Sequence, residues 1–274
     1  MSNTPPLHGR VAVITGAARG QGRAHAVRLA ADGANIIALD VCGPVSEALG
    51  YPMATSQDLD ETVRLVEEAG GKIVARQADV RHIDAVRSAV NAGLDAFGRI
   101  DIVVCNAGII TYGLGWELEE EAFDAVMDVN VKGVWNTVRA TVPAMIEAGN
   151  GGSIIITSST GGIRGNPVML SYDASKHAVV GMMRCLANEL GQHSIRVNTV
   201  HPTGVRTAMG FDPQIQAVVD KYPDLFAGVG QNVLPVPSVR AEDIANAVAW
   251  LASDQSCYVT GTTLPVDAGS TNRA

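Results

Sequence analysis

Residues 11–22 read VAVITGAARGQG, a short apolar run followed by Gly16, Gly20 and Gly22. The run, residues 10–15, has the length of one buried strand, and residues 20–32 read as a helix that stops at Gly33. Glycines in such a strand-to-helix turn allow a tight bend and close backbone approach. The helix N-terminus behind them can hold a pyrophosphate. The spacing is G-x-x-x-G-x-G, not the G-x-G-x-x-G of other dinucleotide folds. Taken alone it also fits an ordinary glycine turn.

The same alternation continues outward along the chain. Apolar strands are predicted at 35–39 (ending at Asp40), 72–77, 100–105, 153–157, 195–200 and 263–266. Helices are predicted at 59–69, 83–97, 119–148, 172–190 and 242–252, with Pro143 expected to kink or end one part of the long stretch. Continuous apolar strands imply a sheet buried on both faces. Strands separated by helices imply right-handed crossovers and a parallel sheet. The expected architecture is a doubly wound, three-layer α/β domain of the Rossmann kind with about seven strands, spanning 1–274 as one unit. Two stretches interrupt it. Residues 41–58 exceed a usual connection, and residues 203–239 form a long, partly apolar segment after a strand's carboxyl end, where substrate loops sit.

Composition narrows the function classes. Of 274 residues, 47% are hydrophobic and 18% charged, which excludes a disordered chain. The 29 glycines show no three-residue period, which excludes a collagen-like one. A net charge of −8 and 4% aromatics leave no basic or base-stacking footprint for nucleic acid. The N-terminus has no apolar core of a signal peptide, and no long uncharged apolar run predicts a membrane span. Cys42, Cys105, Cys185 and Cys257 lie far apart without a C-x-x-C, as fits reduced thiols in a cytoplasmic protein.

Asp40 stands 18 residues after Gly22 at a strand end. A carboxylate there can accept both ribose hydroxyls of NAD and repels a 2′-phosphate. Residues 41–46 carry no Lys or Arg to compensate; Arg19 pulls toward NADP, and Asp40 is expected to outweigh it. An ordinary strand-end aspartate fits the position too. Tyr172 and Lys176, at i and i+4, share one helix face. A phenol with its ordinary pKa of about 10 is a poor base at neutral pH. A nearby ammonium favours the phenolate, so the pair can exchange a proton with a carbinol oxygen. An isolated Y-x-x-x-K also fits a solvated helix face.

The glycine turn, Asn106-Ala107-Gly108, Asn130, Ser158-Ser159 and Tyr172/Lys176 occur in an order and spacing that resemble the short-chain dehydrogenase/reductase family, from about residue 10 to 269. The resemblance implies that Tyr172 is the general acid/base and that Lys176 lowers its pKa and binds the nicotinamide ribose. Ser159, 13 residues before the tyrosine, is implied to hold the substrate oxygen. Asn130 matches the asparagine that supports a water-linked proton relay to the lysine. Around NAD it implies Gly16, Arg19, Gly20, Gln21 and Gly22 at the turn, Asp40 and Val41 after the second strand, and Asp79-Val80 at the adenine. Asn106, Ala107 and Gly108 are implied to wall the cofactor. Pro202 and Gly204, with Thr203 between them, are implied to lie beside the nicotinamide amide, followed by Val205 and Thr207.

TGAARGQGRAHAVRLA, the PMAT-containing insertion after Asp40, RQADVR and SIRVNTVHPTGVRT look like the mycofactocin-coupled branch, carveol dehydrogenase-like members included. That likeness implies NAD held without exchange and a separate redox carrier, mycofactocin, that takes the electrons. The insertion is then expected to cover the adenosine end. The implied reaction moves a hydride between a hydrophobic, cyclic secondary alcohol, or its ketone, and NAD. A 3-ketoacyl reductase would favour NADP and a basic docking patch, and this acidic chain with Asp40 has neither. A non-catalytic NAD-binding regulator often loses the tyrosine or lysine, whereas both are present here. A homotetramer is expected through helices 119–148 and 172–190, the latter carrying Val179, Val180, Met182, Met183 and Leu186 as surface.

Other residues read two ways. His177 and His201 sit near the site without metal-ligand spacing, as packed or solvated side chains do. Ile109, Ile110, Tyr112, Leu114 and Trp116, with Phe211, Tyr222 and Phe226, suit a substrate pocket or the core equally. Arg164 and Arg206 suit an acidic substrate or plain solvation.

Overall fold

The computed structural model describes residues 4–226 and 231–272, apart from the side chain of Phe211. Seven strands form one parallel sheet: β1 (Val11–Thr15), β2 (Asn35–Asp40), β3 (Ile73–Gln77), β4 (Ile102–Cys105), β5 (Gly152–Thr157), β6 (Ile195–Pro202) and β7 (Thr263–Val266), in the order β3-β2-β1-β4-β5-β6-β7. Among the described residues there are eight α-helices: α1 (Gly20–Ala31), α2 (Ser56–Glu68), α3 (Ile83–Phe97), α4 (Glu120–Met127), α5 (Gly133–Ala148), α6 (Leu170–Leu190), α7 (Pro213–Lys221) and α8 (Ala241–Ala252). The doubly wound architecture expected from the strand pattern is the one observed.

The two-residue period of the strands sorts their side chains between two cores. Ala12, Ile14, Ile36, Ile102, Val104 and Ile155 pack with α1, α2 and α8, through Leu29, Val66, Ile244 and Val248. Val13, Ile37, Val103, Ile154 and Ile156 pack with α3, α5 and α6, through Val86, Val138 and Met183. Truncating a core aliphatic such as Ile14 to Ala costs about 2–5 kcal/mol. Strand order reverses between β1 and β4, so the connections that leave them run to opposite faces of the sheet and a crevice opens at the carboxyl ends.

Four expectations need correction. Helix α2 starts at Ser56, inside the stretch read as insertion, because Thr55 and Asp58 form a capping box. The 119–148 stretch breaks not at Pro143 but at a π-helical turn, Asp128–Lys132, which joins α4 to α5. Pro143 lies within α5 on its exposed side, as does Arg139, whose carbonyl loses its helical donor there. Residues 203–239 hold α7 and are pinned at their base, where Val205 bridges Val239 and Arg206 N–H donates to the Val239 carbonyl at 3.0 Å. Finally, Val179, Val180 and Met183 of α6 are buried in the monomer's own core, with Met182 and Leu186 packed against it. The apolar side chains of α6 therefore supply less free surface than their number suggests.

His25 lies on α1, wholly buried, with neither ring nitrogen partnered. Burial depresses its pKa to about 3. Above the unfolded value of about 6.5 the ring is neutral in both states. Between that value and about 3 only the unfolded chain takes up the proton, so stability is lost as pH falls through this window, at about 1 kcal/mol per pH unit. Urea unfolding of the unmodified protein and of His25→Leu at pH 7 and pH 5 should show the variant losing about 2 kcal/mol less. Equal losses would remove His25 as the source.

Candidate active site

The turn after β1 is built by close approach. Gly16 has φ +66°, and a Cβ on it would stand 2.8 Å from Ala107 Cα, so the exits of β1 and β4 nearly touch. A Cβ on Gly22 would overlap the Gly16 carbonyl. Asn106 ties the two exits together, its Nδ2 donating to the carbonyls of Thr15 at 3.0 Å and Gly16 at 3.2 Å. The N-cap residue of α1, Arg19, makes no side-chain cap, and its first turn holds no acidic residue. The helix therefore offers unsatisfied N–H groups and positive dipole to an anion.

Two cavities adjoin at this turn. One is lined by Gly16, Arg19, Gly20, Gln21, Asp40 and Val41, and by Asp79, Val80, Asn106, Ala107 and Gly108. The second, about 460 Å³, is lined by Ser159, Tyr172, Lys176, Pro202, Gly204 and Val205. Gln21, Asn106, Gly108, Thr207 and Met209 line both, so one cleft runs from Asp40 to Tyr172. Every residue expected around the cofactor thus lies along the cleft except Gly22, which packs beneath the turn.

Asp40 is buried at the first end of the cleft, where its oxygens accept from Ala18 N–H at 2.9 Å and Cys42 N–H at 3.1 Å. A carboxylate held so by backbone has lone pairs left for ribose hydroxyls. Val45, Tyr51, Met53 and Ala54 form the facing wall, and all four come from the insertion. That segment is stitched down on several sides. Arg81 is clamped on Asp79 and donates to the Val45 carbonyl at 3.1 Å, Arg19 donates to the Pro52 carbonyl, and Gln77 to that of Val41. Gln214 of α7 reaches the Ala48 carbonyl at 3.5 Å, and Gly50 leaves no room for a Cβ against Asp212 and Gln214.

At the second end, the π turn presents Asn130 inward. Its Oδ1 accepts from Ile109 N–H at 2.8 Å, and its Nδ2 donates to the Ile109 carbonyl and to Ser175 Oγ, both at 2.9 Å. Ser175 Oγ in turn donates to the Tyr172 carbonyl at 2.6 Å. The amide so joins the β4 exit to the helix that carries Tyr172 and Lys176. Lys176 is buried and donates to the Thr157 carbonyl at 2.8 Å; its Nζ lies 5.4 Å from the Tyr172 ring centre. Of the serine pair, Ser158 is spent on the Lys176 carbonyl, while Ser159 Oγ accepts from Gly161 N–H at 3.1 Å and keeps its own proton to donate.

The electrostatics differ from the simple pair logic. Burial pushes the Tyr172 phenol up to about 12, against a smaller pull from the Ser159 hydroxyl. Burial also brings Lys176 down to about 8. Desolvation therefore outweighs the ammonium's expected lowering of the phenol. His201, read from sequence as packed or solvated, is wholly buried and braces the serine. Its Nδ1–H donates to the Ser159 carbonyl at 2.7 Å, and its Nε2 accepts from Thr199 Oγ1 at 2.8 Å.

Of the apolar candidates, Ile110, Tyr112 and Phe226 line the second cavity, joined by Met169, Met209, Ile215 and Val219. Ile109 lies in the first, whereas Trp116 is 82% exposed and Leu114 and Tyr222 line neither. Phe211's side chain lies outside the described residues. Helix α7, source of Ile215 and Val219, left a signal in its Asp212-Pro213 start, an N-cap followed by proline.

Residues 16–271 match the family described as enoyl-(acyl carrier protein) reductase. The chain is 54% identical, over 98% of both chains, to an uncharacterized oxidoreductase of Mycobacterium tuberculosis. It is 40% identical to the (−)-trans-carveol dehydrogenase of Rhodococcus erythropolis, over 97% of this chain and 98% of that one. The carveol dehydrogenase of Mycobacterium avium, solved in complex with NAD, superposes with a TM-score of 0.93 at 47% identity, over 98% of this chain and 100% of that one.

The turn geometry has a direct consequence. Gly22→Ala forces its new methyl into the Gly16 carbonyl, and overpacking of this kind costs about 1–3 kcal/mol. Urea unfolding should show that loss, and nucleotide affinity should weaken as the turn shifts. An alanine variant of unchanged stability and affinity would contradict the packing described.

Proposed function

Because the chain belongs to the short-chain dehydrogenase/reductase family, we propose that it is an NAD-dependent oxidoreductase that oxidises a hydrophobic, cyclic secondary alcohol of the carveol kind, or reduces the matching ketone. The observation that carries this reading is the single cleft from Asp40 to Ser159, Tyr172 and Lys176, whose far wall is the apolar set Ile110, Met169, Met209, Ile215, Val219 and Phe226. The residues fit NAD: the α1 N-terminus for its pyrophosphate, Asp40 for the ribose hydroxyls against a 2′-phosphate, and Asp79, Val80 and the insertion for adenine. NAD, when bound, supplies a hydride acceptor for the carbinol carbon. The chain's own residues do the rest. Ser159 donates to the carbinol oxygen, Tyr172 takes its proton, and Lys176 steadies the phenolate and the ribose. Asn130 and His201 hold these groups in place through Ser175 and the Ser159 carbonyl.

The finer reading includes NAD retained between turnovers and re-oxidised by a separate carrier of the mycofactocin type. The support is the insertion, tied down by Arg19, Arg81 and Gln214. It also includes a cytoplasmic homotetramer joined along α5 and α6. Trp135 and Ile146, exposed on α5, support that contact. Among the described residues no helix is long and apolar enough to cross a membrane.

Two outcomes are expected. With a cyclic secondary alcohol, bound NAD and an artificial electron acceptor, Tyr172→Phe should lower kcat by about 10²–10⁴-fold while nucleotide stays bound. Since the folded phenol titrates near 12, its basic form grows as pH rises, so oxidation by the unmodified protein should quicken above neutrality. A Phe variant with near-normal kcat would sink this reading. Separately, bound NAD should exchange with labelled NAD over many minutes, and Gln214→Ala should shorten that time. Exchange within seconds in the unmodified protein would make the insertion a plain surface loop.

A further inference from the structure

Resting on the reading of the site as an alcohol dehydrogenase, we propose that the physiological alcohol also carries a carboxylate, and that Arg164 receives it. The chain has 28 acidic against 20 basic residues, yet among the described residues lining the second cavity there is no aspartate or glutamate. Its two charged side chains are Lys176 and Arg164. Lys176 is committed to the Thr157 carbonyl and to Tyr172. Among the described residues, the Arg164 side chain is committed only to Ser270. It is half-buried in the loop between β5 and α6, and its Nη atoms donate to the carbonyl (2.9 Å) and hydroxyl (3.1 Å) of Ser270.

These two bonds fix the guanidinium but leave its charge unpaired. No carboxylate among the described residues forms an ion pair with it, and its Nε is buried without a partner. Asp173, whose carboxyl feels its field, has both oxygens engaged by Asn166. A partly buried cation without a counter-charge costs free energy unless an anion meets it. Each Nη carries a second N–H beside the one given to Ser270, and a charge-assisted bond from such an N–H can hold a carboxylate oxygen. The acid group takes no part in the chemistry: hydride leaves the carbinol carbon for NAD, the hydroxyl proton goes to Tyr172, and the carboxylate remains.

The test compares 4-methylcyclohexanol with 4-hydroxycyclohexanecarboxylate and its homologues bearing acetate and propionate arms, as kcat/KM with an artificial electron acceptor. One arm length should be preferred over the methyl compound by at least about 10-fold, and Arg164→Leu should cut that preference by about 10–100-fold. Arg206→Leu, which removes an exposed positive charge outside the chamber, controls for general electrostatics and should leave the preference unchanged. A binding readout needs no turnover: cyclohexanecarboxylate should raise the Tm of the NAD-loaded protein and not that of the Arg164→Leu variant. If neutral alcohols turn over and no acid is preferred, or if Arg164→Leu leaves the preference intact, the carboxylate is excluded while the dehydrogenase reading stands. If neither alcohol class turns over, the dehydrogenase reading fails. The binding result then decides for or against the anion site alone, and an unmoved Tm in the unmodified protein excludes it.

Discussion

The Asn130 amide is the joint on which the reacting end of this molecule depends. A regular helix would carry that side chain past the strand exits; the π turn Asp128–Lys132 shifts its register and aims it inward. There it meets both backbone groups of Ile109 and the hydroxyl of Ser175, and so fixes the β4 exit against α6. Removing a buried amide of this kind leaves three partners unsatisfied at once, each at a cost of about 1–3 kcal/mol. The positions of Tyr172 and Lys176 follow from that joint, since Ser175 holds the carbonyl of Tyr172.

Around the joint the groups are held by backbone rather than by one another. Lys176 leans on the Thr157 carbonyl, Ser159 is fixed through Gly161 and His201, and Asp40 through Ala18 and Cys42. Such anchoring leaves hydroxyls and lone pairs free for a ligand. Burial of the phenol, with the Asp173 carboxylate nearby, accounts for its high pKa.

The insertion packs on the start of α7. Gly50 packs on Asp212 and Gln214, and Tyr51 stands beside Ile110, whose N–H reaches the phenol oxygen at 3.4 Å. A segment that walls the Asp40 end is therefore tied to the helix that walls the Tyr172 end.

Much was legible in the chain itself. Apolar runs of strand length, punctuated by glycine and spaced by helical periods, dictate a doubly wound sheet, because a backbone with those side chains can bury them only between helices. The order of Tyr172, Lys176, Ser159, Asn130 and the glycine turn likewise points to the cleft before any coordinate does. What the tertiary structure alone decided is where local preference yields to contacts distant in sequence. Pro143 reads as a breaker and is carried on the exposed side of α5, while the π turn, which no local signal marks, is where Ile109 and Ser175 meet the Asn130 amide. His201 comes to brace Ser159 only when β6 lies beside β5, and Arg164 gains its place only when Ser270 comes back to it across 106 residues. Those pairings are made by the sheet order, and no local pattern encodes them.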